Sequence, residues 1–235
     1  MSNVTVSDAP VTLITGGGSG IGAATTRRLL AAGGRVAITG RDPARLEKFA
    51  AEAADHERLL TVVADASEPE PVEAAVAATV ERFGRLDHVV ANAGLSTHDT
   101  IGEGDPARWR EMVLTNVLGP ALLVRAALPA LTESRGRIVL MGSVAGLKHT
   151  PGNMYSVTKW AITGMAENVR LMVTGAGIGV TLIAPGPVDT PFWQEHHPQV
   201  VLTADDIAAT VAWVLTQPAG VDVNTVVVRP VGQAG

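Results

Sequence analysis

Three residues of this sequence could together move a proton to or from an oxygen. Tyr155 is the only tyrosine, and Lys159 follows four positions later in a stretch, 153–174, that reads as a long helix. Side chains four apart on a helix share one face. Ser143 lies just past an expected strand, 137–141, at the edge where an open parallel sheet meets its ligands. A free phenol titrates near about 10, too high for efficient proton exchange at neutral pH. A fixed ammonium beside it favours the phenolate. Lowering the phenol by ~3 units takes about 4 kcal/mol of differential stabilisation. Lys159 and one further positive charge in a dry cleft could supply it. Tyr155 would then protonate a carbonyl oxygen, or take the proton back from an alcohol, while Ser143 polarises the same oxygen. In an arbitrary sequence, Tyr-x-x-x-Lys is more often a half-buried tyrosine beside a surface lysine, so its surroundings decide.

The decisive surrounding is a glycine turn. Thr15-Gly16-Gly17-Gly18-Ser19-Gly20-Ile21-Gly22 falls between the first apolar run, 11–15, and the first helical stretch, 23–32. A phosphate needs backbone N–H groups at close range with a helix N-terminus behind them, and a Cβ would hold the backbone away. Gly18, Gly20 and Ala23 satisfy only the looser form of the dinucleotide fingerprint. Thr15, Gly16, Gly20 and Gly22, as T-G-x-x-x-G-x-G, describe the turn better. Gly16, Ser19, Gly20 and Ile21 are the candidate phosphate-side residues. Asp65 follows the third strand and could accept from an adenine amino group, or serve as N-cap of the next helix. Asn92-Ala93-Gly94 ends the fourth strand, where small residues let the chain pass close to a ribose or support the central strand.

The elements that would position these residues alternate in type. Short apolar runs at 11–15, 36–39, 59–64, 86–91, 137–141, 178–184 and 225–228 read as strands. Helical stretches intervene at 23–32, 43–54, 71–83, 106–131, 153–174 and 204–216, with Pro120 as the expected kink of the fourth. Near-continuous apolar strands indicate a parallel sheet covered on both faces. The expectation is a single α/β domain over 1–235, with seven parallel strands in the order 3-2-1-4-5-6-7 and three helices on each face. At 235 residues with 46% apolar content the chain can build a sizeable core. Its 18 basic and 23 acidic residues give a net charge of −5, with no footprint for nucleic acid or anionic membrane. With no cysteine, disulfides, thiolate metal sites and cysteine nucleophiles are excluded. The first ten residues lack the pattern of a signal peptide, so a cytoplasmic location is expected. The uncharged stretch 171–188 is long enough to flag a membrane span, but its glycines and prolines read as helix end, strand and loop.

Together these motifs resemble the short-chain dehydrogenase/reductase family. The matching pieces are TGGGSGIG (15–22), Asp65, NAG (92–94), Asn116, Ser143, YSVTK (155–159) and APGPVDT (184–190), in family order and spacing. The resemblance implies a three-layer αβα Rossmann fold and an oxidoreductase that transfers hydride between a nicotinamide dinucleotide and a small alcohol or carbonyl substrate. It implies that Asn116 kinks its helix and holds a water linking Lys159 to bulk, and that Lys159 binds the nicotinamide ribose. The oxidised nicotinamide would supply the further positive charge near Tyr155. Thr190, with the backbone around Val188, would hold the carboxamide, and Pro185 and Gly186 line the same end. A homodimer or homotetramer is also implied, with Ala121, Leu122, Ala126, Ala127, Ala161, Met165 and Val169 as the sticky outer face. The C-terminal tail resembles the serine and 3-hydroxy acid dehydrogenase branch.

Cofactor choice is readable at the end of the second strand. NAD-selective proteins place a carboxylate there for the ribose 2′-OH. Here that position is Gly40, and Arg41 follows, a planar donor suited to a phosphate. Asp42 reads as the N-cap of the helix that Pro43 opens, although as the next carboxylate it could turn toward the ribose. NADP(H) is therefore expected over NAD(H). The substrate cleft is expected at Leu95, Ala145, Leu147, His149, Asn153 and a lid over 190–203 that includes Phe192 and Trp193. His196 and His197 are adjacent and do not converge, so no metal is expected. No G-x-S-x-G elbow surrounds Ser143, which argues against a serine hydrolase. An epimerase or dehydratase would need a further substrate domain. A non-catalytic dinucleotide-binding regulator is the remaining alternative, and such proteins typically lose the Tyr or Lys that this chain keeps.

Overall fold

The computed structural model describes residues 9–193 and 198–233. Six strands alternate with helices: β1 (Val11–Thr15), β2 (Arg35–Gly40), β3 (Leu59–Val63), β4 (His88–Ala91), β5 (Arg137–Met141) and β6 (Gly179–Pro185). A two-residue pair, β7 (Val188–Asp189) and β8 (Leu202–Thr203), precedes the last strand, β9 (Thr225–Val228). The main sheet is parallel, ordered β3-β2-β1-β4-β5-β6-β9. This is the expected topology, with β9 as seventh strand. The reversal of direction beside β1 opens the crevice at the carboxyl ends of β1 and β4.

Six helices cover the sheet, three to a face. Helices α1 (Gly20–Ala31), α2 (Pro43–Ala53) and α7 (Ala204–Leu215) pack Leu30, Phe49 and Val211 on Ile14, Ile38 and Val139. Helices α3 (Pro69–Phe83), α5 (Gly119–Ser134) and α6 (Met154–Val173) pack Val76, Leu131 and Ile162 on Leu13, Val89 and Leu140. The five inner strands are buried on both faces, which is why their sequences run apolar without alternation, while the edge strands β3 and β9 are partly open. The stretch 171–188 is the end of α6, a short 3₁₀ turn and β6, as its glycines indicate.

The sequence reading needs correction at several points. Helix α1 begins at Gly20 rather than 23, so the glycine turn itself forms its first turn. Helix α3 begins at Pro69 rather than Pro71, because both prolines fit a first turn that needs no amide donors. The expected continuous helix 106–131 is three pieces: α4 (Pro106–Val113), a π turn (Leu114–Leu118) and α5. Pro120 is part of the cause. It has no amide proton for the Asn116 carbonyl four residues earlier, and its ring crowds that carbonyl. The ladder slips instead, and the Gly119 amide bonds Leu114. The run Pro106–Ser134 is long and apolar enough to cross a membrane, yet Leu123, Val124, Ala127 and Leu131 lie in the core. Of the outer face expected for assembly, Ala161 is exposed, Ala121, Leu122, Ala126, Met165 and Val169 are half-buried, and only Ala127 is internal. Leu122, Ala126, Met165 and Val169 pack against the core, while Val157, Trp160, Leu171 and Met172 are exposed.

One buried cation ties the last strand to the centre. Arg137 of β5 donates to the carbonyls of Gln217, Pro218 and Val221 at 2.8, 3.0 and 3.0 Å. Arg137→Leu leaves those carbonyls without their partner and should cost about 2–3 kcal/mol in urea unfolding. A change below about 0.5 kcal/mol, the size expected of an idle surface group, would show that this strap contributes nothing.

Candidate active site

The glycine turn is shaped by close approach rather than by flexibility. Gly16 has φ +67°, and a Cβ on Gly22 would lie 2.3 Å from the Gly16 carbonyl oxygen. Asn92 braces the turn: its Nδ2 donates to the carbonyls of Thr15 at 3.0 Å and Gly16 at 3.2 Å. The Thr15 hydroxyl in return accepts the amides of Asn92 and Ala93, both at 3.1 Å. Ser19 caps α1 without committing its side chain to the helix, and no acidic residue stands in the first turn. The turn is thus a rigid cradle of the kind an anion fills.

Two cavities meet at this cradle. One, about 400 Å³, is lined by Gly40, Arg41, Asp42 and Asp65; the other, about 550 Å³, by Ser143, Tyr155, Lys159 and Gly186. Both share Gly16, Ser19, Arg45, Ala93, Gly94 and Leu95. An elongated ligand with a phosphate centre and two end groups fits this shape. Pro185, Val188, Thr190, Gly20, Ile21 and Asn92 all face the larger cavity, and the Thr190 side chain rests on Gly20. Gln233 closes the wall beside Gly186 with a buried carboxamide oxygen that has no hydrogen-bond partner among the described residues. Nothing in the sequence singles out that glutamine.

The three chemical side chains converge in the larger cavity. Tyr155 keeps one edge open to the cleft but is otherwise packed round by protein, and its hydroxyl is hydrogen-bonded to Ser143. Burial pushes its phenol up to about 12, against the opposing effect of that hydrogen bond. Lys159 is buried beneath it, 5.6 Å from the Tyr155 ring centroid, and donates to the Met141 carbonyl at 2.8 Å. Burial pushes its ammonium down to about 8. By the sequence reading a second positive charge beside Lys159 brings the phenol down, and the described residues alone do not supply one there. Ser143 caps the short 3₁₀ turn Val144–Gly146, accepting the Ala145 amide at 3.1 Å.

Asn116 sits inside the π turn. Its Oδ1 accepts the Leu95 amide at 2.9 Å, and its Nδ2 donates to the Leu95 carbonyl at 2.9 Å and the Thr158 hydroxyl at 3.0 Å. The slipped ladder thereby locks the strand that leaves Gly94 against α6. Asp65 is not the N-cap of α3, a position held by Glu68. Its Oδ1 accepts from the Ser67 amide and hydroxyl at 2.9 and 2.7 Å. Burial raises the Asp65 carboxyl, but these bonds and the Arg41 charge outweigh it and hold the group below its ordinary value. Asp42 does cap α2, accepting the Arg45 amide at 3.2 Å. Arg41 reaches across the cavity mouth to Glu111, 2.9 Å away.

The expected substrate wall is half right. Leu95, Ala145 and Asn153 line the cavity, as do Phe192 and Trp193. Leu147 and His149 do not, and His149 stacks on Trp160 at 5.8 Å instead. Ser96, His98, Lys148 and Thr150 take their place. His196 and His197 lie outside the described residues.

Comparison with known proteins agrees with this geometry. The family model for short chain dehydrogenases matches residues 10–200. An uncharacterized oxidoreductase of Staphylococcus saprophyticus is 35% identical over 227 residues, 94% of this chain and 97% of that protein. A solved alcohol dehydrogenase from the archaeon Thermococcus sibiricus, complexed with 5-hydroxy-NADP, matches with TM-score 0.89 at 30% identity, covering 97% of this chain and 99% of its own. A 3-ketoacyl-(acyl-carrier-protein) reductase from Brucella melitensis, complexed with NADH, matches with TM-score 0.87 at 28% identity, covering 94% and 96%. The fold and cradle define a dinucleotide-binding protein of the Rossmann type. The chain belongs to the short-chain dehydrogenase/reductase family, whose members are oxidoreductases using a nicotinamide dinucleotide.

The buried lysine makes a stability prediction. A base with a depressed folded-state pKa burdens the fold wherever both states hold the proton, here below about pH 8. The burden lifts as pH rises from there toward the unfolded value, because the folded protein sheds the proton first. Lys159→Met in the ligand-free protein should therefore melt higher than the parent at pH 7, with the gap closing by about pH 10. Thermal melts across that range check it, and a variant less stable at pH 7 would contradict it.

Proposed function

We propose that this protein is an NADP(H)-preferring alcohol dehydrogenase or carbonyl reductase acting on a small alcohol or carbonyl substrate. What supports the activity is the convergence of Ser143, Tyr155 and Lys159 in a cavity continuous with the glycine cradle. A nicotinamide bound there supplies or accepts the hydride. Thr190, the backbone near Val188 and the loop Pro185–Gly186 orient its carboxamide end, and Lys159 holds the ribose hydroxyls. Ser143 holds the substrate oxygen while Tyr155 gives it the phenolic proton, or takes that proton in the reverse direction. The Lys159 ammonium stabilises the phenolate that remains. The Asn116 side chain is committed to Leu95 and Thr158, so a water that resupplies the proton would rest on its main-chain carbonyl. By the family resemblance the protein works in the cytoplasm as a homodimer or homotetramer.

NADP(H) preference rests on Gly40 and Arg41. Gly40 leaves the carboxylate position empty, and Asp42, the nearest substitute, commits one oxygen to capping α2. A 2′-phosphate would draw Arg41 from Glu111, and one charge-assisted contact is worth about 1.5–3 kcal/mol, roughly 10–150-fold. NADPH should exceed NADH at least tenfold in kcat/KM, and Arg41→Ala should erase most of that. Equal use of both by the parent protein would assign the ribose to Asp42.

Tyr155→Phe should lose at least about 10²-fold in kcat, the usual size of an acid–base contribution, with dinucleotide affinity nearly intact. Near-normal turnover would end the mechanism. The rate of carbonyl reduction should fall as pH rises through about 8, where Lys159 loses its charge. A profile flat to pH 10 would remove the lysine from the chemistry.

A further inference from the structure

Beyond the catalytic trio, three rings gather at one end of the larger cavity. Phe192 lies 5.5 Å from Tyr155, centroid to centroid, and Trp193 meets Phe192 edge-on at 5.5 Å and 84°. His98, from the loop after β4, stacks on Trp193 at 5.2 Å and meets Phe192 edge-on at 5.3 Å. The loop is held in that position against local preference: His98 has φ +54°, a left-handed conformation uncommon outside glycine. A ring nitrogen of His98 lies 3.3 Å from the Phe192 carbonyl oxygen, and the Trp193 indole N–H donates to the Val188 carbonyl at 2.9 Å. The two loops are thus joined by their rings beside the catalytic phenol.

Two of the polar groups at this end serve the protein itself, while Lys148 and Thr150 also line the wall. The Ser96 hydroxyl accepts the His98 amide at 3.1 Å, and the Asn153 carboxamide oxygen accepts the Ser156 amide at 2.7 Å. Among the described residues no carboxylate lines the cavity. A substrate ammonium would meet no counter-charge among those lining residues, and a buried cation without one is costly. A flat apolar ring would instead find edges and faces at stacking distance.

Building on the oxidoreductase reading above, we propose that the substrate is an uncharged carbonyl compound with a flat ring next to its carbonyl, held by Phe192, Trp193 and His98, rather than an amino acid or short hydroxy acid. Ser143 and Tyr155 take the oxygen, and the rings take the remainder.

The test uses acetophenone, butanone and 3-oxobutanoate as probes, with NADPH and NADH, on the parent protein and on Phe192→Leu and His98→Asn. Leucine keeps apolar bulk without a flat ring, and asparagine tolerates left-handed backbone without an imidazole. Acetophenone should exceed butanone by roughly tenfold or more in kcat/KM, and each variant should reduce that ratio several-fold. Comparable use of butanone, a preference for 3-oxobutanoate through Lys148 at the rim, or an unchanged ratio in both variants would overturn the proposal while leaving the oxidoreductase reading intact. Tryptophan fluorescence with acetophenone gives a second measurement independent of turnover. Saturable quenching that weakens in Phe192→Leu supports the ring site even if no carbonyl is reduced, which would sink the activity alone. No quenching in the parent overturns the ring site.

Discussion

An ammonium held inside protein organises the cleft. Lys159 stands on α6, beneath the tyrosine, with the Met141 carbonyl as its protein acceptor. Gly94 borders it, and a Cβ there would crowd the Asn116 side-chain oxygen at 3.2 Å while only touching the lysine nitrogen at 3.8 Å. The position of Gly94 in turn depends on Asn116 gripping Leu95 through both its carboxamide atoms. That grip requires the π turn, and the turn follows in part from a proline placed four residues on. A charge in one helix is thereby coupled to an irregularity in another and to a missing side chain in a third segment.

Such a charge does not stabilise the fold. Burying an ammonium costs more than one hydrogen bond to a carbonyl returns. Its retention makes sense when the group must act on something that enters later, and the ribose hydroxyls and the phenolate are the candidates. The same logic applies to the Gln233 oxygen without a partner beside Gly186. The site surrounds an elongated space and is braced from behind by Asn92 and Thr15, which bond each other's segments.

The sheet was legible from the sequence because a strand covered on both faces must be apolar throughout, and seven such runs stand out between helical stretches. The glycine turn and the trio Ser143, Tyr155 and Lys159 were legible because each demands particular residue types at particular places in the fold. What escaped depended on distant partners. The substitution of a slipped turn for a simple kink needs Leu95 and Thr158 to receive Asn116. That Ala127 is internal while Leu122 and Met165 are half-buried reflects how α5 and α6 rotate on the sheet, which periodicity alone left ambiguous. Asp65 was open between two roles, and its bonds to Ser67 remove one of them. His98 carries no local signal at all: its role arises where a loop after β4 meets a loop after β7.

That meeting of loops separates two kinds of change. The cradle, the lysine and the tyrosine are fixed to strand ends and helix starts, where a displaced atom disturbs the core. The aromatic patch belongs to two loop segments that meet through His98, Phe192 and Trp193. Substitutions at His98, Phe192 and Trp193 bear on what the cleft accepts more directly than on the cradle and the lysine beneath it. A chain built this way can acquire a new substrate by drift in two short segments.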